Sequence, residues 1–147
     1  MNVPDKVLQG IFLGTAGAFA GMGVTLNLAA VPALLASSDP VPAWRVVYNR
    51  GKNFAFLTIL PSTAAALALY SNTGVKQYLA CAALNVTIIP FTLFFMKPTN
   101  DALHKFKKSD SSKTEKELIT TWGGLQMVRT TLSAAAFVIG IYTVLKH

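Results

Sequence analysis

Apolar residues gather in four long runs along this chain, and the polar residues fall between them. The runs span about Val7 to Leu35, Phe54 to Tyr70, Tyr78 to Met96 and Leu118 to Leu145. A helix needs about 20 predominantly apolar residues, with a range of roughly 17–25, to cross the hydrocarbon core of a bilayer. All four runs qualify, the second with little to spare. Tyr70, Tyr78 and Trp122 flank them, as expected of rings that sit at headgroup level. The pattern predicts an all-α fold: an integral membrane four-helix bundle, with residues 1–147 forming a single transmembrane domain.

Breakers refine the elements. Pro32 ends or kinks the first helix, and Pro40 and Pro42 mark a loop. The segment from Pro42 to Lys52 is amphipathic enough for a short helix on the membrane surface, between helices one and two. Ser71-Asn72-Thr73-Gly74 reads as a tight turn, so helices two and three should be antiparallel neighbours. Pro61 and Pro90 lie inside helices two and three, which membrane helices tolerate because neighbouring groups satisfy the freed carbonyls. Lys97 to His104 is short, polar and ordered in character, whereas Lys105 to Lys116 is rich in Lys and Ser and should be solvated. In the first helix Gly10, Gly14, Gly17 and Gly21 are spaced four, three and four, which puts them on one face. Small residues allow close helix approach in lipid, so the stripe is expected to be a buried packing seam. Thr25 continues it one turn on.

Composition changes the picture by excluding a soluble domain. The chain has 147 residues, of which 52% are hydrophobic and 13% charged, against about 25% charged in soluble domains. So small a soluble protein would need a polar coat that these residues cannot supply. The first run is too long for a signal-peptide core, and its only basic residue, Lys6, stands beside Asp5; a retained helix is expected. The net charge is +7, but the basic residues lie in loops between apolar runs and no nucleic-acid module is present, so the partner is an anionic bilayer surface and not nucleic acid. Lys6, Lys76 and Lys146 fall on one side. Arg45, Arg50, Lys52, Lys97, Lys105, Lys107, Lys108, Lys113 and Lys116 fall on the other. This three-to-nine bias puts both termini on the non-cytosolic side and both long loops in the cytosol. The single cysteine, Cys81, allows no internal disulfide. His104 and His147 are too few for a three-His metal site.

Polar groups inside a bilayer are expensive, and each calls for an account. Arg129 lies about a dozen residues into the fourth run, and Trp122, Gln126 and Arg129 are spaced four and three, so they share one face. That stripe should point into the bundle, where Arg129 needs an acceptor. Asp39, Asp101, Asp110, Glu115 and Glu117 lie on its side, and Asp101, at the end of helix three, is the first choice. Three accounts of Arg129 stay open: a snorkelling side chain, a structural Arg held by carbonyls, and a ligand-binding Arg. Asn27 and Asn85 either bond across helices or face a pocket. Tyr48, Asn49 and Arg50 lie at the same end as Asn100 and His104, which are four apart. His104 is the side chain whose ordinary pKa best suits a base near neutrality. No nucleophile motif, phosphate loop, dinucleotide fingerprint or metal-ligand set is present.

Four pieces, in order, carry a resemblance over essentially the whole chain. They are Asn27-Leu-Ala-Ala-Val-Pro32; Trp44 with Tyr48, Arg50 and Gly51; Pro90-Phe-Thr-Leu-Phe-Phe-Met-Lys-Pro-Thr-Asn100 with Leu103; and Trp122 with Leu125 and Val128-Arg129-Thr130. Together they resemble the anthrone oxygenase-like family, first catalogued as a domain of unknown function. The resemblance implies a four-helix membrane protein, related to fungal proteins of polyketide pathways that oxidise an anthrone to an anthraquinone with O2 and without metal or flavin. Carried over by position, the substrate-binding candidates are Asn27, Trp44, Tyr48, Asn100, Trp122 and Gln126, with Asn85 added from its depth. Arg129 and Arg50 would stabilise an enolate, Trp44 and Trp122 would stack on rings, and His104 or Asp101 would be the base. Gln126 stands where the family often has His or Asn, and Gln cannot act as a base.

The expectation is therefore a membrane-embedded, cofactor-independent monooxygenase acting on a hydrophobic aromatic, polyketide-type small molecule. Its location would be the endoplasmic reticulum or another endomembrane if the source is fungal. A non-oxidative isomerase or cyclase of a lipophilic intermediate would use the same groups, and a non-enzymatic lipid-binding or structural protein is the alternative from another class. Four short helices without an inverted repeat argue against a monomeric transporter. A homo-oligomer is left open.

Overall fold

The computed structural model describes residues 3–109 and 113–147. Asp110, one of the candidate partners of Arg129, and two more residues of the Lys- and Ser-rich stretch lie outside the described residues. Four helices make up the fold: α1 (Asp5–Ala36), α2 (Pro40–Thr73), α3 (Lys76–His104) and α4 (Glu115–Lys146), each long and apolar enough to cross a membrane. No strand occurs among the described residues. The outward surface is apolar as well as the core: Leu57 is 72% exposed and Phe94 75%. That surface suits lipid and not water.

Local sequence sets the helix ends. α2 starts on Pro40, where a missing N–H is no loss. It ends at Gly74, whose φ of 70° places it in the left-handed region and lets its N–H bond the Tyr70 carbonyl at 2.8 Å. Ser71, Asn72 and Thr73 thus form the last helical turn, and Gly74 makes the reversal. α4 opens with a capping box: Thr114 Oγ1 accepts from the Glu117 N–H at 3.2 Å, and Glu117 Oε2 from the Thr114 N–H at 2.7 Å.

The segment from Pro42 to Lys52 is helical but is not a separate surface helix. It runs without a break into the second apolar run, giving α2 34 residues. Nothing between Pro42 and the second apolar run interrupts the helix, since Gly51 alone only lowers propensity. At 1.5 Å per residue, α2 is about 50 Å long against a hydrocarbon core of about 30 Å, so its first turns stand beyond that core. Lys97 to His104 likewise extends α3.

Two π-helical segments interrupt the regular ladder, Leu26–Ala30 in α1 and Thr92–Met96 in α3. They share a cause. Pro32 and Pro98 each lack the N–H that would bond the carbonyl four residues back, on Leu28 and Phe94, the midpoint of each segment. The residue before each proline instead bonds five back: Val31 N–H to Leu26 O, and Lys97 N–H to Thr92 O.

In cross-section the helices follow one another around a square. α1 packs on α2 and α4, and α3 packs on α2 and α4, which leaves α2 diagonal to α4 and α1 diagonal to α3. At the α1–α4 seam glycines admit close approach. A Cβ at Gly23 would lie 2.7 Å from Thr130 Oγ1, one at Gly123 3.0 Å from Val31, and one at Gly17 2.9 Å from Phe137. Of the glycine stripe of α1, only Gly17 takes part in that seam. Gly10, Gly14 and Gly21 are exposed and have open space where a Cβ would stand. The buried face of α1 is Leu8, Phe12, Ala16, Phe19, Ala20 and Gly23, because the large side chains of that face bury more area than the glycines can.

Candidate functional site

Two packed layers close the bundle above and below a central space. At the end carrying the long loops, Trp44, Met96, Leu103, Ile119 and Trp122 form one apolar cluster, with Trp44 wholly buried. Its rings interlock: Trp44 stacks on Tyr48 (centroids 5.0 Å) and meets Trp122 edge-on (6.0 Å) and His104 edge-on (4.9 Å). At the opposite end Phe12, Leu69, Tyr78, Cys81 and Ala136 form a second cluster. Between them lies a cavity of about 120 Å³ lined by all four helices, well above the roughly 10–15 Å³ that one water requires.

Its walls are unequal. α1 contributes Met22 and Leu26, and α3 contributes Ile88, Ile89, Thr92 and Leu93. The polar wall is α4, through Trp122, Gln126 and Arg129. Because α4 is diagonal to α2, that wall faces Tyr48, Lys52, Ala55 and Ile59 across the space. The Lys52 ammonium lies 5.8 Å from the centre of the Tyr48 ring, a cation–π contact.

Arg129 has no carboxylate partner among the described residues. Its Nη1 donates to Gln126 Oε1 at 3.2 Å and lies 3.7 Å from Met96 Sδ, and the guanidinium lies 5.7 Å from the Phe19 ring centre. Arg129 Nε and Trp122 Nε1 are buried without a hydrogen-bond acceptor among the described residues. With the Gln126 oxygen taken by Arg129, its amide group remains a donor. The α4 wall is thus a convergent set of donors, one of them cationic, in an apolar setting. Such a set stabilises an oxygen on which negative charge develops.

The expected Arg129–Asp101 pair does not form. Asp101 is bonded to Lys97, one turn earlier on the same helix, and both are solvent-exposed. An i,i+4 lysine at the exposed end of α3 is nearer than an arginine deep in α4. The other expected residues divide by place. Tyr48, Trp122, Gln126 and Arg129 meet at the cavity, and Trp44 stands behind them in the ring cluster. His104 is exposed and does not line the cavity; its ring packs on Tyr48 (4.8 Å), and its carbonyl accepts from Arg45 Nη2 at 3.0 Å. Arg50 is exposed, and Asn100 is buried off the cavity with its Oδ1 unpartnered.

Asn27 and Asn85 are taken up by interhelical bonds. Asn27 donates to the Gly123 carbonyl at 3.0 Å and accepts from Thr130 Oγ1 at 2.8 Å, clamping α1 to α4 directly behind the donor wall. Asn85 donates to Ser62 Oγ at 3.0 Å between α3 and α2. Lys52 and Thr92 are cavity residues not anticipated from sequence. The available signal for Lys52 was its spacing of four from Tyr48 on a continuous helix.

The anthrone oxygenase sequence profile matches residues 44–139, well over half the chain. The chain belongs to the anthrone oxygenase family. The matched span holds Tyr48, Lys52, Trp122, Gln126 and Arg129, so the donor wall and the α2 wall opposite it both lie within the anthrone oxygenase match, whereas Asn27 lies outside. An anthrone oxygenase of Claviceps purpurea (strain 20.1) is 26% identical over 154 aligned residues, covering 90% of this chain and 82% of that protein. No solved structure matches significantly. An oxygenase-like membrane protein of four apolar helices is the description that family membership and fold support together.

Proposed function

We propose that this chain oxidises an anthrone-type substrate to the quinone with O2, inside the bilayer and without a redox cofactor. The observation that carries the proposal is an arginine with no carboxylate partner among the described residues, flanked by two further donors, on one wall of an apolar cavity. A planar ketone fits between the walls with its carbonyl oxygen on Arg129, Trp122 and Gln126. Removal of a proton from the methylene opposite that carbonyl gives an enolate whose charge the donor wall holds. The electron-rich carbon reduces O2 and forms a C–O bond; the hydroperoxide then loses water to leave the second carbonyl. The balance is one anthrone and one O2 giving one anthraquinone and one water, and the proton taken by the base returns in that water.

Neither His104 nor Asp101 lines the cavity, so this proposal assigns the base to Lys52, the amine on the α2 side. Thr92 and Tyr48 supply hydroxyls nearby. The cytosolic placement of the long loops, supported by the bias of basic residues, belongs to the same proposal, as does a location in the endoplasmic reticulum or another endomembrane if the source is fungal. The test is stoichiometric. Membranes containing the protein, given an anthrone, should take up one O2 per quinone formed. Exchange of the methylene proton without oxygen uptake would assign the site to isomerase chemistry. Neither exchange nor uptake would leave a lipid-binding or structural role.

A further inference from the structure

Packed side chains stand at both ends of the cavity: the ring cluster of Trp44 and Trp122 on the loop side, and the Phe12–Tyr78 cluster on the other. The α1–α4 seam is shut by Gly23 against Thr130 and Gly123 against Val31. Among the lining residues, every exposed one belongs to α2 or α3. Phe56 is 56% exposed, Leu60 54% and Leu93 58%, and Ile89 is also exposed. In a chain whose outer surface faces lipid, these side chains touch acyl chains on one side and the cavity on the other.

We infer that the cavity is loaded laterally from the bilayer, through a mouth between α2 and α3 framed by Phe56, Leu60, Ile89 and Leu93. The class of molecule admitted follows from the two surfaces it must pass. The mouth is hydrocarbon, so the entering molecule is uncharged and dissolves in acyl chains. The inner wall is a donor set, so it carries a polarised oxygen at the leading end. Lys52 sits at the loop-side edge of the mouth, as a snorkelling amine would at headgroup depth. A permanently charged analogue would have to cross that hydrocarbon mouth. The π segment Thr92–Met96 supplies Thr92 and Leu93 to this mouth, where the widened turn breaks the regular α3 surface. The identification of the molecule as an anthrone rests on the function proposed above; the route does not.

The experiment uses the full chain in phospholipid vesicles and reads binding separately from turnover. Trp122 lines the cavity and Trp44 does not, so Trp44→Phe leaves the cavity indole as the only tryptophan, excited selectively over the four tyrosines. Anthraquinone dissolved in the bilayer quenches an indole it touches. Quenching should saturate with its mole fraction in lipid, and anthraquinone-2-sulfonate added to the water should not quench. Adding Leu60→Phe and Leu93→Phe together should raise the half-quenching mole fraction about tenfold, while Leu145→Phe, on the lipid face far from the cavity, should leave it in place. If Trp44→Phe does not fold, the same mouth variants are made with Trp44 retained, and KM expressed in the bilayer should rise more than kcat falls. Equal quenching or equal KM in mouth and control variants overturns the lateral route and leaves the oxygenase proposal intact. Efficient quenching by the sulfonate overturns it too. Saturable, mouth-dependent quenching without any oxygen uptake would sustain the route and sink the oxygenase proposal.

Discussion

Arg129→Met separates a catalytic arginine from a structural one. Met retains an unbranched apolar stem of similar reach, so packing against Phe19 and Met96 is largely kept. What disappears is the charge and its bond to Gln126 Oε1. An Arg at the centre of a membrane helix opposes insertion by about 2.5–3.5 kcal/mol, and leaving the Gln126 oxygen unsatisfied costs about 1–3 kcal/mol. Since no carboxylate loses a partner, the net effect on stability runs from about zero to a gain of about 2 kcal/mol. Turnover should move the other way. Loss of one preorganised donor to a developing oxyanion lowers kcat by about 10²–10³, or about 3–4 kcal/mol.

Stability is read by the thermal exposure of Cys81, which is buried and is the chain's single cysteine, to a thiol-reactive dye. Activity is read by oxygen uptake and quinone absorbance in the same vesicles. A variant that melts at or above the parent temperature but turns over a hundredfold more slowly places Arg129 in the chemistry. Turnover within about threefold of the parent, or a lower melting temperature with full activity per folded molecule, refutes it. Arg129→Lys should fall between the two, because it restores charge without the planar fork.

Lys52→Gln should lower kcat by about 10²–10⁴ with partial recovery on adding a small primary amine, and an unchanged rate would move the base elsewhere. Gly23→Ala places a methyl 2.7 Å from Thr130 Oγ1 and should destabilise by about 1–3 kcal/mol in the Cys81 melt. Gly14→Ala, facing open space, should be neutral or stabilising by up to about 1 kcal/mol; the reverse order would return the packing seam to the glycine stripe. Asn27→Ala removes the α1–α4 clamp and should cost about 0.6–1.7 kcal/mol in the same melt, while a larger drop in turnover than in stability would show that the clamp also positions the donor wall.

The parts of this fold that were legible in the sequence are those the bilayer itself dictates. Four runs of sufficient length read as four helices because lipid permits little else. Trp122, Gln126 and Arg129 read as one face because helical spacing depends on nothing beyond the helix. Orientation about each helix axis was less accessible. Gly10, Gly14 and Gly21 form a regular stripe, yet they face outward, because the larger side chains on the neighbouring face decide which way α1 turns. Asp101 was a reasonable partner for Arg129 by side of the membrane, but Lys97 is one turn away and the bundle does not bring the other pair together. Lys52 was hidden by its charge: a lysine at the end of an apolar run reads as a topology signal, and only the uninterrupted helix from Pro40 to Thr73 turns it towards the cavity with Tyr48.

The two proline-linked π segments explain why there is a cavity to find. Each adds one residue to a turn, in helices that stand diagonal across the bundle, and each borders the space through Leu26 or through Thr92 and Leu93. A regular helix rotates by about 100° per residue. Deleting the extra residue in α3 would therefore turn everything beyond it by that angle. Asn100 and Leu103, now buried, would swing outward, and the Met96–Leu103 side of the loop-end cluster would be lost. The same insertion that widens the wall at Thr92 thus sets the register of the plug above it. The cavity is built into the backbone and does not depend on a missing side chain. Filling it with a single larger residue therefore leaves both π segments in place, and the space with two of its walls.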